Sequence, residues 1–260
     1  MATEDEIRRA KEYLVLRLRA ERTAVSTMEA VLLTAARRIA DIAQRYNIPP
    51  EKFRFSANKN LQREVNEVLA LLKDVLESHV RDLDTFEEEG KEAFAAPALT
   101  EKDAGKTFRE RLAIYVSRWG FELEATIAAA GLAGVRDKAR ILEGVKAYLE
   151  RPYENPWIKE HEGEGDAVRL DGIPHYGKGR QTSAYAALAL LLATTVAKGW
   201  MQNWARLNAG KRGYYVLRGS SFPCETCDAQ TGFLHDINDK DGLPQYHPRC
   251  CCIVVYTDQT

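Results

Sequence analysis

Apolar residues recur at steps of three and four along residues 4–46, the spacing that places side chains on one face of an α-helix. The stripe is least regular near Arg17–Thr23, where a kink would fold the helix back. Pro49 and Pro50 are expected to end it. A second stripe follows Ser56, a suitable N-cap. Two long amphipathic helices are therefore predicted, with stripes formed by Val25, Met28, Leu32, Ala35, Ile39, Ile42 and Tyr46, and by Leu61, Val65, Val68, Leu72, Leu76 and Val80.

Helical spacing continues beyond residue 100. Thr100 and Asp103 have the spacing of a capping box, although Glu or Gln is usual at the second position. A third helix is therefore expected to begin at Thr100, and a short fourth helix is expected over residues 135–150. Together these patterns predict a helical region over residues 1–152.

The C-terminal part of the chain has a mixed pattern. Residues 153–180 are rich in glycine, proline and charged residues, which predicts a loop or linker. Residues 181–208 are apolar almost all round at first, as in a buried helix. The segments Tyr214–Leu217 and Ile253–Tyr256 have the composition of short strands, and the two could pair. We therefore expect a mainly α protein with a small α+β module over residues 181–260.

Bulk composition points to no nucleic-acid or membrane partner. The chain has 260 residues and a net charge of -1, so its overall field attracts neither. The N-terminus lacks the basic segment and apolar run of a secretory signal. The most apolar stretch, residues 184–196, is shorter than the ~20 residues of a membrane span. We expect a protein made in the cytoplasm, or part of something assembled there.

All five cysteines lie between residues 224 and 252. In a reducing cytosol, clustered cysteines near a histidine favour a metal site over disulfides. Reduced thiols or disulfides are the alternative, and a redox role for Cys224 and Cys227 is a further one. The loop has few large apolar residues, so metal binding could supply its missing folding free energy.

The spacing of these residues suits structural zinc. Cys224-x-x-Cys227 and His247-x-x-Cys250 form two pairs that can each reach one tetrahedral ion, and structural zinc takes four nitrogen or sulfur ligands. Cys252 could replace Cys250, because strand alternation places these two residues on one face and Cys251 on the other. We expect a short antiparallel sheet around a zinc-clasped loop, with no open coordination position.

The segment from Tyr214 to Tyr256 resembles the C-terminal signature of the phage Mu F-like minor head proteins, the phage head morphogenesis family. The match departs at Arg249, where Asn is usual, and at Cys251, where Arg is usual. It covers roughly the last 75 to 80 residues. The matching residues are Cys224, Cys227, Gly232, Pro244, His247, Pro248, Cys250 and Cys252.

The resemblance implies a minor structural protein of a tailed phage, not an enzyme. Such a protein is made in the bacterial cytoplasm and becomes part of the virion. Its expected partners are the portal and other head proteins within an oligomeric assembly, with DNA as a further candidate.

Three other functions are weaker matches. An HNH-like nuclease would use His235, but the metal motif fits poorly and we interpret His235 as a solvated loop residue. Glu162-Gly163-Glu164 has a form found in ADP-ribosyltransferases, yet three residues carry little information. A zinc-stabilised adaptor unrelated to phage is also compatible with the cysteines. Lys178 and Arg180 are weak candidates for contact with nucleic acid.

Overall fold

The computed structural model describes most of the chain outside the region from 144 to 182. The predicted linker 153–180, with Lys178 and Arg180, lies outside the described residues, as do Glu162-Gly163-Glu164 and His247. The described residues are 2–49, 52–83, 85–86, 94–95, 99–102, 105–132, 137, 139–141, 143, 183–219, 221, 224–239, 242–244, 246 and 250–259.

Helices dominate the described residues, which confirms the prediction of a mainly α protein. The first helix is continuous from Glu4 to Tyr46 and includes the irregular stretch of the stripe. A single 3-10 turn, Phe55–Ala57, precedes the second helix. The α-helices are α1 (Glu4–Tyr46), α2 (Lys59–Leu83), α3 (Phe108–Leu132), α4 (Ala184–Leu207) and the short α5 (Glu225–Asp228).

The described strands form two antiparallel sheets. The smaller pairs β1 (Thr85–Phe86) with β2 (Phe94–Ala95). The larger contains β3 (Gly213–Leu217) between β4 (Leu234–Asp236) and β5 (Ile253–Thr257). Since β3 and β5 pair in full register from Gly213 opposite Thr257 to Leu217 opposite Ile253, the predicted strand pair is confirmed. The sequence pattern did not predict β4.

The chain divides into two compact units. The first comprises Met1–Ala24, Asp82–Leu99 and Leu192–Thr260, and the second comprises Val25–Arg81 and Thr100–Leu191. Both units combine segments that are distant in the sequence. Since the predicted linker lies outside the described residues, the sequence-based boundaries at 152 and 181 stay a prediction.

Two helix starts in the second unit differ from their predictions. Asn58, not Ser56, caps α2: its side-chain oxygen accepts from the backbone N–H of Asn60 at 2.9 Å, whereas Ser56 lies within the 3-10 turn. A capping box of Thr107 and Glu110 precedes α3, with the Thr107 N–H donating to Glu110 at 2.7 Å. The predicted start at Thr100 is therefore wrong, because the complete Thr-x-x-Glu pattern lies seven residues further on.

The apolar stripes form the core of the second unit, as predicted. Met28, Leu32 and Ile39 of α1 are fully buried, and so are Leu61 and Leu76 of α2. Of the predicted fourth helix at 135–150, only residues 137, 139–141 and 143 are described, and all but 137 of these are helical.

A buried carboxylate caps α4 in the second unit. Both oxygens of Glu122 accept the backbone N–H of Ala184, at 3.0 and 3.2 Å. Arg118, one turn earlier on α3, forms an ion pair with Glu122 at 3.1 Å. A negative charge at a helix N-terminus satisfies otherwise unpaired N–H groups and the positive end of the helix dipole. The start of α4 is thereby held at Ala184.

Candidate metal centre

The first unit has one apolar core that includes cysteine side chains. The cluster joins buried residues of α4, β3 and β5 to the N-terminal part of α1. Its members include Ala10, Trp204, Tyr214, Val216, Cys227, Cys250, Cys252, Ile253, Val254, Val255 and Tyr256. Cys227, Cys250 and Cys252 are therefore part of this apolar core.

Two short segments bring the sulfurs to this core. Cys224 lies just before α5 in an extended conformation, and Cys227 lies within α5 and is buried. Cys250 and Cys252 lie just before β5 and are also buried. Because β5 pairs with β3 along its whole length, the position of the 250–252 segment follows from the sheet.

Three sulfurs lie at distances suited to one metal ion. The Sγ atoms of Cys227, Cys250 and Cys252 all lie within 4.8 Å of one another, and those of Cys227 and Cys250 are 3.9 Å apart. Thiolates bound tetrahedrally to zinc at about 2.3 Å would be about 3.8 Å apart. Exposure is 3% or less for each residue. A small cation could thus be bound by all three with little rearrangement.

The three thiols compete for one negative charge. Hydrogen bonding from Cys252 is the main reason why the pKa of Cys250 is lowered to about 5. Burial raises the pKa of Cys227 to about 12. The pKa of Cys252 is raised above its usual range, chiefly because it is hydrogen-bonded to Cys250. A second and third thiolate therefore require a nearby cation, which a metal ion would provide.

Cys224 is the best placed of the remaining described cysteines to complete the site. Its half-buried thiol lies within hydrogen-bonding reach of Cys227. Cys251 instead lies where the charges of Arg17 and Glu21 act on it. The expected alternation is therefore observed: Cys250 and Cys252 enter the cluster together and Cys251 does not.

The ligand set stays a prediction in part. The structure gathers Cys227, Cys250 and Cys252, with Cys224 next to Cys227. His247 lies outside the described residues. Cys252 accompanies Cys250 in the cluster, whereas the sequence pattern treated it as a replacement. Cys224 and His247 stay the two candidates for a fourth ligand.

A glycine permits the close approach of backbone beside the cluster. A Cβ atom at Gly219 would lie 1.7 Å from the Cys251 carbonyl oxygen. The segment after β3 therefore passes directly against the backbone that carries the ligand cysteines. No sequence pattern indicates this contact.

The loop between α5 and the second cysteine group is held by polar contacts around His235. His235 is buried, which corrects its interpretation as a solvated loop residue. Its Nδ1 lies 3.1 Å from an Asp239 carboxylate oxygen and its Nε2 lies 2.9 Å from the Gln230 carbonyl oxygen. Its ring stacks on Tyr214, with centroids 4.8 Å apart and planes 3° from parallel. Both ring nitrogens are therefore engaged in holding the loop.

Among the described residues, α4 is long and apolar enough to cross a membrane. Half of its apolar window is buried within the protein. A core helix meets the same requirement, so this helix does not decide the location of the protein.

Comparisons with models of known protein families, with curated proteins and with solved structures find no match to this chain.

The metal centre predicts a composition that can be measured directly. Protein purified without chelator is expected to contain about one zinc ion per chain, because a buried thiolate cluster of this size holds a single ion. Cys227→Ser should abolish the zinc, whereas Cys251→Ser should retain it, since Cys251 lies outside the cluster. Elemental mass spectrometry on the three reduced proteins measures this. Equal loss in both variants would refute the assignment of the cluster.

The backbone contact at Gly219 predicts a local clash. Gly219→Ala should destabilise the first unit by about 2 kcal/mol, the size of a typical overpacking cost, because the displaced atom is a backbone carbonyl. Urea unfolding, with and without added zinc, measures this. The control is Ser221→Ala at a nearby exposed position. Equal stability of the two variants would contradict the predicted close approach.

Proposed function

We propose that this chain is a minor head protein of a tailed bacteriophage, with a C-terminal module held together by one structural zinc ion. One observation carries the proposal. The two cysteine groups that carry the family resemblance are separated by 22 residues between Cys227 and Cys250, yet the sulfurs of Cys227, Cys250 and Cys252 form a single buried cluster. Three of the cysteines on which the resemblance rests therefore lie together in space.

Zinc is the metal that this site favours. Its described candidate ligands are all cysteine sulfurs, and soft thiolates select zinc, copper(I) or iron–sulfur clusters over magnesium or calcium. Four-coordinate sulfur-rich sites in proteins are predominantly structural zinc sites. Burial of three of the cysteines leaves little access for a water molecule or a substrate. These features support a structural role and no metal-assisted hydrolysis.

The nuclease alternative has less support. A catalytic histidine needs a ring nitrogen free to accept a proton, but both nitrogens of His235 face acceptors within the loop. Asp236 accepts hydrogen bonds from the backbone and side-chain nitrogens of Asn238, at 2.8 and 3.0 Å. These polar groups stabilise the loop around β4. A zinc-stabilised adaptor would need the same structural metal site as a phage head protein, so no observation favours the adaptor function.

The proposed partners are those that the resemblance implies: the phage portal and other head proteins, in an oligomeric assembly within the virion. Contact with DNA through Lys178 and Arg180 belongs to the proposal as well, although both residues lie outside the described part of the chain.

If the gene for this chain is deleted from the phage genome that carries it, the yield of DNA-filled heads should fall by at least about tenfold. Complementation by the wild type and by Cys251→Ser should restore the yield, whereas Cys227→Ser should not, because it removes a buried metal ligand. Electron microscopy and plaque counts measure the effect.

Purified protein should also leave supercoiled plasmid intact in the presence of Mg²⁺. Normal heads after deletion, or virions that lack the chain by mass spectrometry, would contradict the head-protein proposal. Nicking that is lost in His235→Ala would support the nuclease instead.

A further inference from the structure

Arg17 occupies a position in α1 where a charged residue is unexpected. Its side chain is 1% exposed, although the residue lies on a helix whose other arginines in this part are at the surface. Burial of a guanidinium group is costly unless the charge is paired and hydrogen-bonded. The irregularity of the apolar stripe at this point thus reflects a charged side chain in a buried position.

The buried guanidinium contacts the backbone of a cluster cysteine. Its Nη2 donates to the Cys250 carbonyl oxygen at 2.8 Å. Its Nε lies 3.1 Å from a Glu21 carboxylate oxygen, an ion pair without hydrogen-bond geometry. Among the described residues, the bond to Cys250 is therefore the one hydrogen bond of this side chain. Arg17 depends on the position of a residue whose sulfur belongs to the proposed metal site.

Aromatic contacts one turn earlier hold the same segment of α1. Tyr13 stacks on Trp204, with ring centroids 4.4 Å apart and planes 24° from parallel. Its hydroxyl donates to the Trp200 carbonyl oxygen at 2.9 Å and accepts from the Asn203 amide at 3.0 Å. Residues 4–24 are thus docked in the first unit through the aromatic contact with α4, the polar contact with the cysteine segment, the burial of Ala10 in the apolar core and the ion pair of Glu6 with Lys211.

We propose that Arg17 couples metal binding to the docking of residues 4–24. This inference rests on the proposed metal site. With a cation bound, Cys250 and Cys252 are both held as ligands, and the carbonyl that Arg17 needs is held between them. Without the cation, only thiol hydrogen bonds link Cys250 and Cys252 to Cys227, and the segment 250–252 is held mainly by its continuity with β5. The carbonyl then no longer compensates the buried guanidinium, and the α1 segment is released more readily.

The coupling acts in both directions by thermodynamic necessity. If metal binding strengthens docking of residues 4–24 by some factor, docking strengthens metal binding by the same factor. Arg17 is therefore a positioning residue for a metal site whose ligands lie more than 200 residues away in the sequence.

Hydrogen–deuterium exchange of the full-length wild type tests the coupling without any substitution. Residues 4–24 should exchange at least about tenfold faster after zinc removal by a chelator, and zinc addition should reverse the change, as expected for a coupling of ordinary size. Exchange in α2, which belongs to the other unit, should change less than twofold and serves as the internal reference. Equal protection of residues 4–24 with and without zinc would overturn the proposal.

A matched pair of variants identifies the residue responsible. Arg17→Met keeps much of the apolar stem but removes the donor, whereas Arg19→Met makes the same change at an exposed position of α1. In competition with a chromophoric chelator, Arg17→Met should bind zinc about tenfold more weakly and Arg19→Met within twofold of the wild type. Wild-type affinity in a folded Arg17→Met would overturn the assignment to Arg17.

The two proposals fail in distinguishable ways. Absence of zinc from the reduced wild type would refute the metal site and this inference with it. Zinc bound at one per chain, together with zinc-independent exchange of residues 4–24, would refute the coupling and leave the metal site intact. If Arg17→Met does not fold, exchange of the wild type decides the matter.

Discussion

In the first unit, three buried sulfur atoms lie within 4.8 Å of one another, and this proximity limits how many of the thiols can ionise. Thiols so close and so shielded from water cannot all ionise, since the pKa of Cys250 is lowered only while those of Cys227 and Cys252 are raised. A divalent cation removes this conflict, because it compensates several thiolates at once. The proximity of α5 and the start of β5 is explained most simply by such an ion.

The surrounding contacts bring backbone and side chains to that point. The β3–β5 pairing places the 250–252 segment, the absence of a side chain at Gly219 lets a second segment pass against it, and Arg17 binds its carbonyl from α1. The loop around His235 is held separately, by two hydrogen bonds and a stacked tyrosine. In the first unit, residues from the start of α1 therefore share one apolar core with residues of α4, β3 and β5.

Periodicity in the sequence predicted those features of the fold that depend on residues close together in the chain. The apolar steps of α1 and α2, the strand pair and the separation of Cys251 from its neighbours follow from helical and strand periodicity. The caps at Asn58 and Thr107 were missed because weaker matches lay nearby in the sequence. The buried Arg17 was marked only by an irregular apolar stripe and His235 by no pattern, since their partners include backbone atoms and residues distant in the sequence. The functional proposal depends on the cysteine signature, whose spacing predicted a single metal site but not that Cys252 would join Cys250 in it.

The proposed role in a phage head requires a structural metal site with no open coordination position, so the identity of the metal's ligands decides it. X-ray absorption at the zinc edge of the reduced, zinc-loaded wild type tests it most directly. The account predicts three or four sulfur ligands at about 2.3 Å, with a histidine nitrogen as the sole alternative for the fourth, and no oxygen ligand. A shell with fewer than three sulfurs, or one that contains a water oxygen, would contradict a closed structural site built on Cys227, Cys250 and Cys252.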